Sequence, residues 1–187
     1  AGEPSSSASA AAACWPASSG PVSSMLELIE DTGTLDAVFV CLGGGGLAAG
    51  VAIAVKHERP EVEVVGVQAE VMAAYPPSLA AGRPVEVAAA PTIADGIALR
   101  RPGDVTFPLI RDHLDGVVTV GEDDIAEAMV LLLERAKLVV EGGGAVGVAA
   151  LLTGAVAPAE EGTTCVVLSG GNADAGLLAT VTRLHES

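Results

Sequence analysis

Aromatic side chains are nearly absent: the 187 residues hold one Trp, one Tyr and two Phe. A core must therefore be built from Val, Leu, Ala and Ile, in a sequence that is 50% hydrophobic. Basic residues are scarce too, 9 against 24 acidic ones, for a formal charge of −15. Such a balance argues against nucleic acid or anionic membranes as partners, since both are densely negative. The acidic residues are spread over helix faces and read as solubilising charge. The three cysteines, Cys14, Cys41 and Cys165, are odd in number and match no metal-ligand spacing. Two of them lie in apolar strand-like runs, so the expectation is buried free thiols in a reducing compartment. No uninterrupted apolar run reaches the ~18 residues of a membrane span. The N-terminus lacks the basic start and long apolar core of a signal peptide, although Ala8–Cys14 superficially resembles one. A cytoplasmic location is the expectation.

What is present is glycine in groups, placed at the ends of apolar runs. Residues 1–20 are Ser/Ala-rich without apolar periodicity and read as disordered, because they cannot bury enough surface to offset ordering entropy. Residues 21–187 read as one domain. A helix with Ser23 available as cap runs to Glu30 and stops at Asp31-Thr-Gly33. The apolar run Ala37–Leu42 drives into Gly43–Gly46, and a helix follows from Leu47 to His57, ended by Arg59-Pro60. Val62–Val67 is the next strand. A helix between two strands in a unit of this length implies a parallel crossover. Val71–Ala80 reads as a helix kinked or broken at Pro76-Pro77. Residues 85–107 read as a long ordered loop, a feature that usually serves a site. Helix Thr106–Leu114, strand Gly116–Val120 and a long helix from Glu122 to Lys137 come next. Acidic residues in the first turn and basic ones in the last match the dipole of that long helix. Leu138–Glu141 meets a second glycine group, Gly142–Gly144, before a helix Ala145–Leu152. Strand Thr164–Ser169 ends in Gly170-Gly-Asn172, and helix Gly176–Leu184 follows. The fold class expected is α/β, three-layered, with a mainly parallel sheet.

Two strands thus end in glycine turns, and in open parallel sheets ligands bind beyond the carboxyl ends of the strands. At Gly43, Gly44, Gly45, Gly46 and Leu47, bare amides and a helix N-terminus would converge on an anion. The alternative is a flexible glycine connector. No Lys-Ser/Thr follows, which excludes a Walker-type loop, and no register supplies the three glycines of a dinucleotide fingerprint. Four clustered amides suit a single terminal phosphate. Ser169 offers a hydroxyl directly after its strand, either for a ligand's polar atom or for capping its own turn. Asp95-Gly96 is either a plain surface turn or part of a site.

Leu42-Gly-Gly-Gly-Gly-Leu47, Thr92-Ile-Ala-Asp-Gly96, Glu134-Arg-Ala-Lys-Leu-Val-Val-Glu141 and Val167-Leu-Ser-Gly-Gly-Asn172 occur in that order. With these spacings the chain from about Gly20 onward resembles threonine/serine dehydratases (threonine ammonia-lyases) and serine racemase. These are fold-type II, tryptophan synthase β-like enzymes that use pyridoxal 5′-phosphate (PLP). The resemblance implies that Gly43–Leu47 hold the PLP phosphate and that Ser169 bonds to the pyridine nitrogen. It places Glu141 near the ring, where the alternative is simple solvation of a helix end, and puts Asp95-Gly96 along the same cleft. A neutral hydroxyl at Ser169 would temper the electron sink, which suits β-elimination of a hydroxyl.

Departures from the family pattern carry as much weight. Its Schiff-base lysine, in a Ser-x-Lys-x-Arg-Gly-like motif, has no counterpart, for the only lysines are Lys56 and Lys137. The small N-terminal domain and its substrate-carboxylate loop are missing as well. Gln68 and Ala73 stand where serine racemase has metal-binding acids, so no metal is expected. The expectation is a truncated dehydratase-like chain: it would hold PLP but no catalytic residue, and be inactive alone on L-threonine or L-serine. A complete form would be a homo-oligomer acting on a small amino acid. The alternatives are a serine racemase-like or other fold-type II enzyme, and a non-catalytic remnant or subunit that only binds the phosphate.

Overall fold

The computed structural model describes residues 9–14, 20–159 and 162–185. Five parallel strands form one sheet in the order β1-β5-β2-β3-β4. These are β1 (Ser9–Cys14), β2 (Leu35–Cys41), β3 (Glu63–Ala69), β4 (Gly116–Val120) and β5 (Thr163–Leu168). Alternation along the central strands divides the core in two. Val38 and Val40 of β2 and Cys165 and Val167 of β5 point to one face. There they meet α1 (Pro21–Asp31), α2 (Gly46–Glu58) and α4 (Thr106–His113). Phe39, Cys41, Val166 and Leu168 point to the other face. That face is covered by α5 (Glu122–Leu131), α6 (Gly142–Leu152) and α7 (Ala175–His185). The expected three layers are present, and burial on both faces accounts for the continuous apolar runs of β2 and β5.

From β2 the chain steps through α2 to β3 and on to β4, then returns across the other face by α5 and α6 to β5, on the opposite side of β2. The direction of winding therefore reverses between β2 and β5. Their carboxyl ends, with the loops that follow, lie side by side at this switch point.

Several boundaries differ from the sequence reading. Ser9–Cys14 lies within the stretch read as disordered, yet pairs along β5 from Ser9↔Thr163 to Cys14↔Leu168. An edge strand needs only backbone partners, which a Ser/Ala tract supplies without any apolar signal. Residues 1–8 and 15–19 lie outside the described residues. Helix α1 begins at Pro21 rather than Ser23. Gly20 is its N-cap, and the Ser23 hydroxyl donates to Gly20 O at 2.9 Å. Pro76-Pro77 do not kink a helix but open one, α3 (Tyr75–Ala81), because proline's missing N–H costs nothing in the first turn. Gly82 ends α3 in the left-handed region (φ 65°). The long acidic-to-basic helix is α-helical only to Leu131. It widens to π-type turns over Leu132–Ala136 and stops at Lys137, itself left-handed (φ 60°). Finally, α6 starts at Gly142, not Ala145, so the second glycine group is its first turn.

Two positions on α5 test the layering. Ile125 is fully buried in the core and Leu131 is 36% exposed. Ile125→Ala should lower the unfolding free energy by about 2–5 kcal/mol. Leu131→Ala should stay within roughly 1 kcal/mol. Urea titrations of both variants give the comparison.

Candidate functional site

The loop after β2 is built around a position that only glycine fits, Gly45. Leu42 is still tied to β3, its amide donating to Val67 O at 2.8 Å. Gly45 is the N-cap of α2 with φ 91°, and a β-carbon there would lie 2.2 Å from the Tyr75 hydroxyl. Its carbonyl accepts the first bond of the helix, from the Ala49 amide at 2.8 Å. The preceding carbonyl, Gly44 O, accepts from the Thr106 hydroxyl at 2.5 Å and from the Tyr75 hydroxyl at 3.3 Å. Among the described residues no acceptor takes the amides of Gly43, Gly44 or Gly45. The amides of Gly46 and Leu47, in the first turn of α2, have no intrahelical partner either. Five successive amides without a backbone acceptor thus lead into the positive end of a 13-residue helix. This arrangement fits a phosphate.

Across the switch point, the Ser169 hydroxyl follows β5 and lies 3.1 Å from the Cys41 thiol at the end of β2. The chain there runs so close to α6 that a β-carbon on Gly144 would sit 2.1 Å from Ser169 O. Glu141, the N-cap of α6, donates its amide to Gly170 O at 3.1 Å. The Glu141 carboxylate lies over Gly170 and beside Gly96, where β-carbons would come within 2.2 and 3.1 Å of its Oε1. Burial, and then the nearby Asp95 carboxylate, raise the pKa of Glu141 above the ordinary value. Burial likewise raises Cys41, with a smaller push from the Glu141 charge, against a lowering by the Ser169 contact. The thiol is thus held protonated. Cys165, in the opposite core, is pushed up to about 12 by burial.

A third segment joins these two. The Glu122 carboxylate at the start of α5 accepts from the Thr92 hydroxyl (2.6 Å) and the Ile93 amide (2.7 Å), fixing the loop that leads to the turn Asp95–Ile97. Ile97 then packs against both glycine groups, at Gly43 and at Gly143. The structure therefore brings together Gly43–Leu47, Gly96, Glu141 and Ser169. Asp95 is exposed and contributes charge rather than a contact.

Sequence reasoning missed four contributors. Cys41 touches Ser169. Gln68, Tyr75 and Thr106 hold the glycine loop from outside it. Gln68 is 1% exposed; its amide nitrogen donates to Leu42 O at 3.0 Å and its oxygen accepts from the Tyr75 amide at 3.0 Å. The available signal was a lone Gln inside the apolar run of β3. The two lysines lie elsewhere. Lys56, at the far end of α2, pairs with Asp115 at 2.7 Å and donates to Val62 O. Lys137 is exposed and donates to Glu134 O. A cavity of about 370 Å³ borders Glu63 and Gly116, at the amino ends of β3 and β4, opposite this crevice. Apart from Glu63 its lining is apolar or glycine, and it carries no convergent polar groups.

A family model described as pyridoxal-phosphate dependent enzyme matches residues 17–170. An L-threonine ammonia-lyase of Thermotoga maritima is 46% identical over 153 residues, which are 82% of this chain and 38% of that protein. A solved threonine deaminase, from the organism abbreviated T.th., superposes with a TM-score of 0.77 at 40% identity, over 82% of this chain and 57% of its own. Maize serine racemase gives a TM-score of 0.79 at 34% identity, over 89% and 51%. The chain thus spans about two fifths to somewhat over half of the length of these relatives.

Two adjacent glycines make a test of the loop. Gly45→Ala should destabilise by about 1–3 kcal/mol, because its methyl meets the Tyr75 hydroxyl in a left-handed conformation. Gly46→Ala, with nothing within 4 Å of the new β-carbon, should be neutral or stabilising by up to about 1 kcal/mol. Denaturant midpoints distinguish the two. Glu141 predicts a pH dependence. An acid whose pKa is raised on folding binds its proton more tightly when folded. Its contribution is present below the ordinary value near 4.5 and is lost as pH rises above it. The stability of Glu141→Gln relative to the unaltered chain should therefore grow between pH 4 and pH 7.

Proposed function

Because the chain belongs to the pyridoxal-phosphate-dependent enzyme family, we propose that it forms the cofactor-holding portion of an ammonia-lyase acting on L-threonine or L-serine. The observation that carries this reading is the cradle of free amides at Gly43–Leu47, set beside Ser169 across the carboxyl ends of two neighbouring strands. Gly43, Gly44, Gly45, Gly46 and Leu47 would take the phosphate through their amides. Ser169 would meet the pyridine nitrogen with a neutral hydroxyl, whose place is set by the Cys41 thiol 3.1 Å away. Glu141, shifted toward its uncharged form, would line the ring's edge with Gly96. Pyridoxal phosphate, when bound, supplies an electron sink for the substrate's α-carbon, so that the α-proton and the β-hydroxyl can leave.

Removing that α-proton calls for a base such as a lysine amine, and among the described residues no lysine lies at the site. Lys56 is engaged with Asp115 at the other end of α2, and Lys137 is on the surface. We therefore read the chain as binding the cofactor without a covalent link, and as dependent on a lysine from outside these residues for turnover. Likeness to threonine ammonia-lyase at 46% identity favours dehydration over the racemase reading. Free thiols at Cys41 and Cys165 support a cytoplasmic setting.

Titration of the purified chain with PLP, followed by cofactor absorbance, tests the reading. Saturable binding that inorganic phosphate displaces is expected. Borohydride should leave no covalent adduct, and no ammonia should be released from threonine or serine. A borohydride-stable adduct on Lys56 or Lys137 would contradict it.

A further inference from the structure

Resting on the phosphate reading of Gly43–Leu47, the geometry points to Gln68, Tyr75 and Thr106 as positioning residues. They grip the carbonyls behind the glycine loop and so turn its amides toward the anion. None of the three belongs to the glycine run or to the segments resembling the family motifs.

In a planar trans peptide the C=O of one residue and the N–H of the next point in opposite directions. Holding a carbonyl on one side therefore aims the following amide to the other. Two peptides of the loop are held in this way. Leu42 O accepts from Gln68 Nε2 at 3.0 Å, on the β3 side, which directs the Gly43 amide toward β5 and Ser169. Gly44 O accepts from Thr106 Oγ1 at 2.5 Å and Tyr75 Oη at 3.3 Å, which directs the Gly45 amide away from those hydroxyls. The two grips are one unit, because Gln68 Oε1 accepts from the Tyr75 amide at 3.0 Å.

Such a device answers a specific weakness. Glycine peptides rotate freely, and four in succession would sample many orientations. An anion site gains from amides that already converge, since each peptide ordered on binding subtracts from affinity. Gln68 and Tyr75 are 1% and 0% exposed and Thr106 is half-buried, so the grips are largely shielded from competing water. Burial raises the Tyr75 pKa, and a protonated phenol can donate to Gly44 O.

The test compares PLP with pyridoxal, which lacks the phosphate, on the full chain and its variants. Thr106→Val removes the shorter grip while keeping the side chain's shape. It should weaken PLP about five- to tenfold, the effect of about one hydrogen bond's worth of orientation, and pyridoxal by less than twofold. Thr106→Ser, which restores the hydroxyl, should recover PLP affinity to within about twofold. PLP affinity unchanged in Thr106→Val, or loss of PLP and pyridoxal in equal measure, would overturn the inference. Should Thr106→Val unfold, Tyr75→Phe is read by the same criteria. A different result sinks the functional reading itself: equal affinity of the unaltered chain for PLP and pyridoxal, which would mean that no phosphate is held at the loop.

Discussion

Where β2 and β5 end, bare glycine backbone packs directly against its neighbours, and the rest of the site depends on that closeness. A β-carbon at Gly144 would come within 2.1 Å of Ser169 O, and one at Gly45 within 2.2 Å of the Tyr75 hydroxyl. Glycine at these points lets the loop after β2, the loop after β5 and the first turn of α6 share one small space. Winding reversal between β2 and β5 brings the two strand ends together. The turn at Asp95–Ile97 closes the assembly by seating Ile97 on both glycine groups.

Local electrostatics at this place run against the charge of the whole. A chain of formal charge −15 is a poor partner for a phosphate at long range. Unpaired amides and the N-terminus of α2 make a short-range exception. Glu141, which borders the crevice, is pushed toward its neutral form by burial and by Asp95, which lessens its repulsion of an anion. Hydroxyl and thiol, not charges, meet at the other end of the crevice, where Ser169 touches Cys41. Covalent chemistry is what these residues do not provide, since both lysines are tied up away from the crevice.

Much of this could be read in the sequence, and what could not has a physical reason. Apolar runs that end in glycine are a local signal, so β2, β5, the glycine loop after β2 and the position of Ser169 at the end of β5 were legible directly. Glu141 emerged only through likeness to a known family, because its approach to Gly170 and Gly96 is tertiary. Thr106 and Tyr75 were invisible, since they reach the loop from 62 and 31 residues away. Strand β1 has no apolar alternation to betray it; its pairing is backbone alone. The π-type turns after Leu131 escaped notice because the sequence there is a good helix former, and the widening appears only in the hydrogen bonding.

The central claim is that the amides of residues 43 to 47 hold a phosphate. Proton–nitrogen correlation NMR of the chain, titrated with inorganic phosphate, tests it without reference to any activity. The account predicts that the largest amide shifts belong to Gly43, Gly44, Gly45, Gly46 and Leu47 and saturate together. Shifts centred instead on Gly142 and Gly143, at the N-terminus of α6, would contradict it, as would a spectrum that phosphate leaves unchanged.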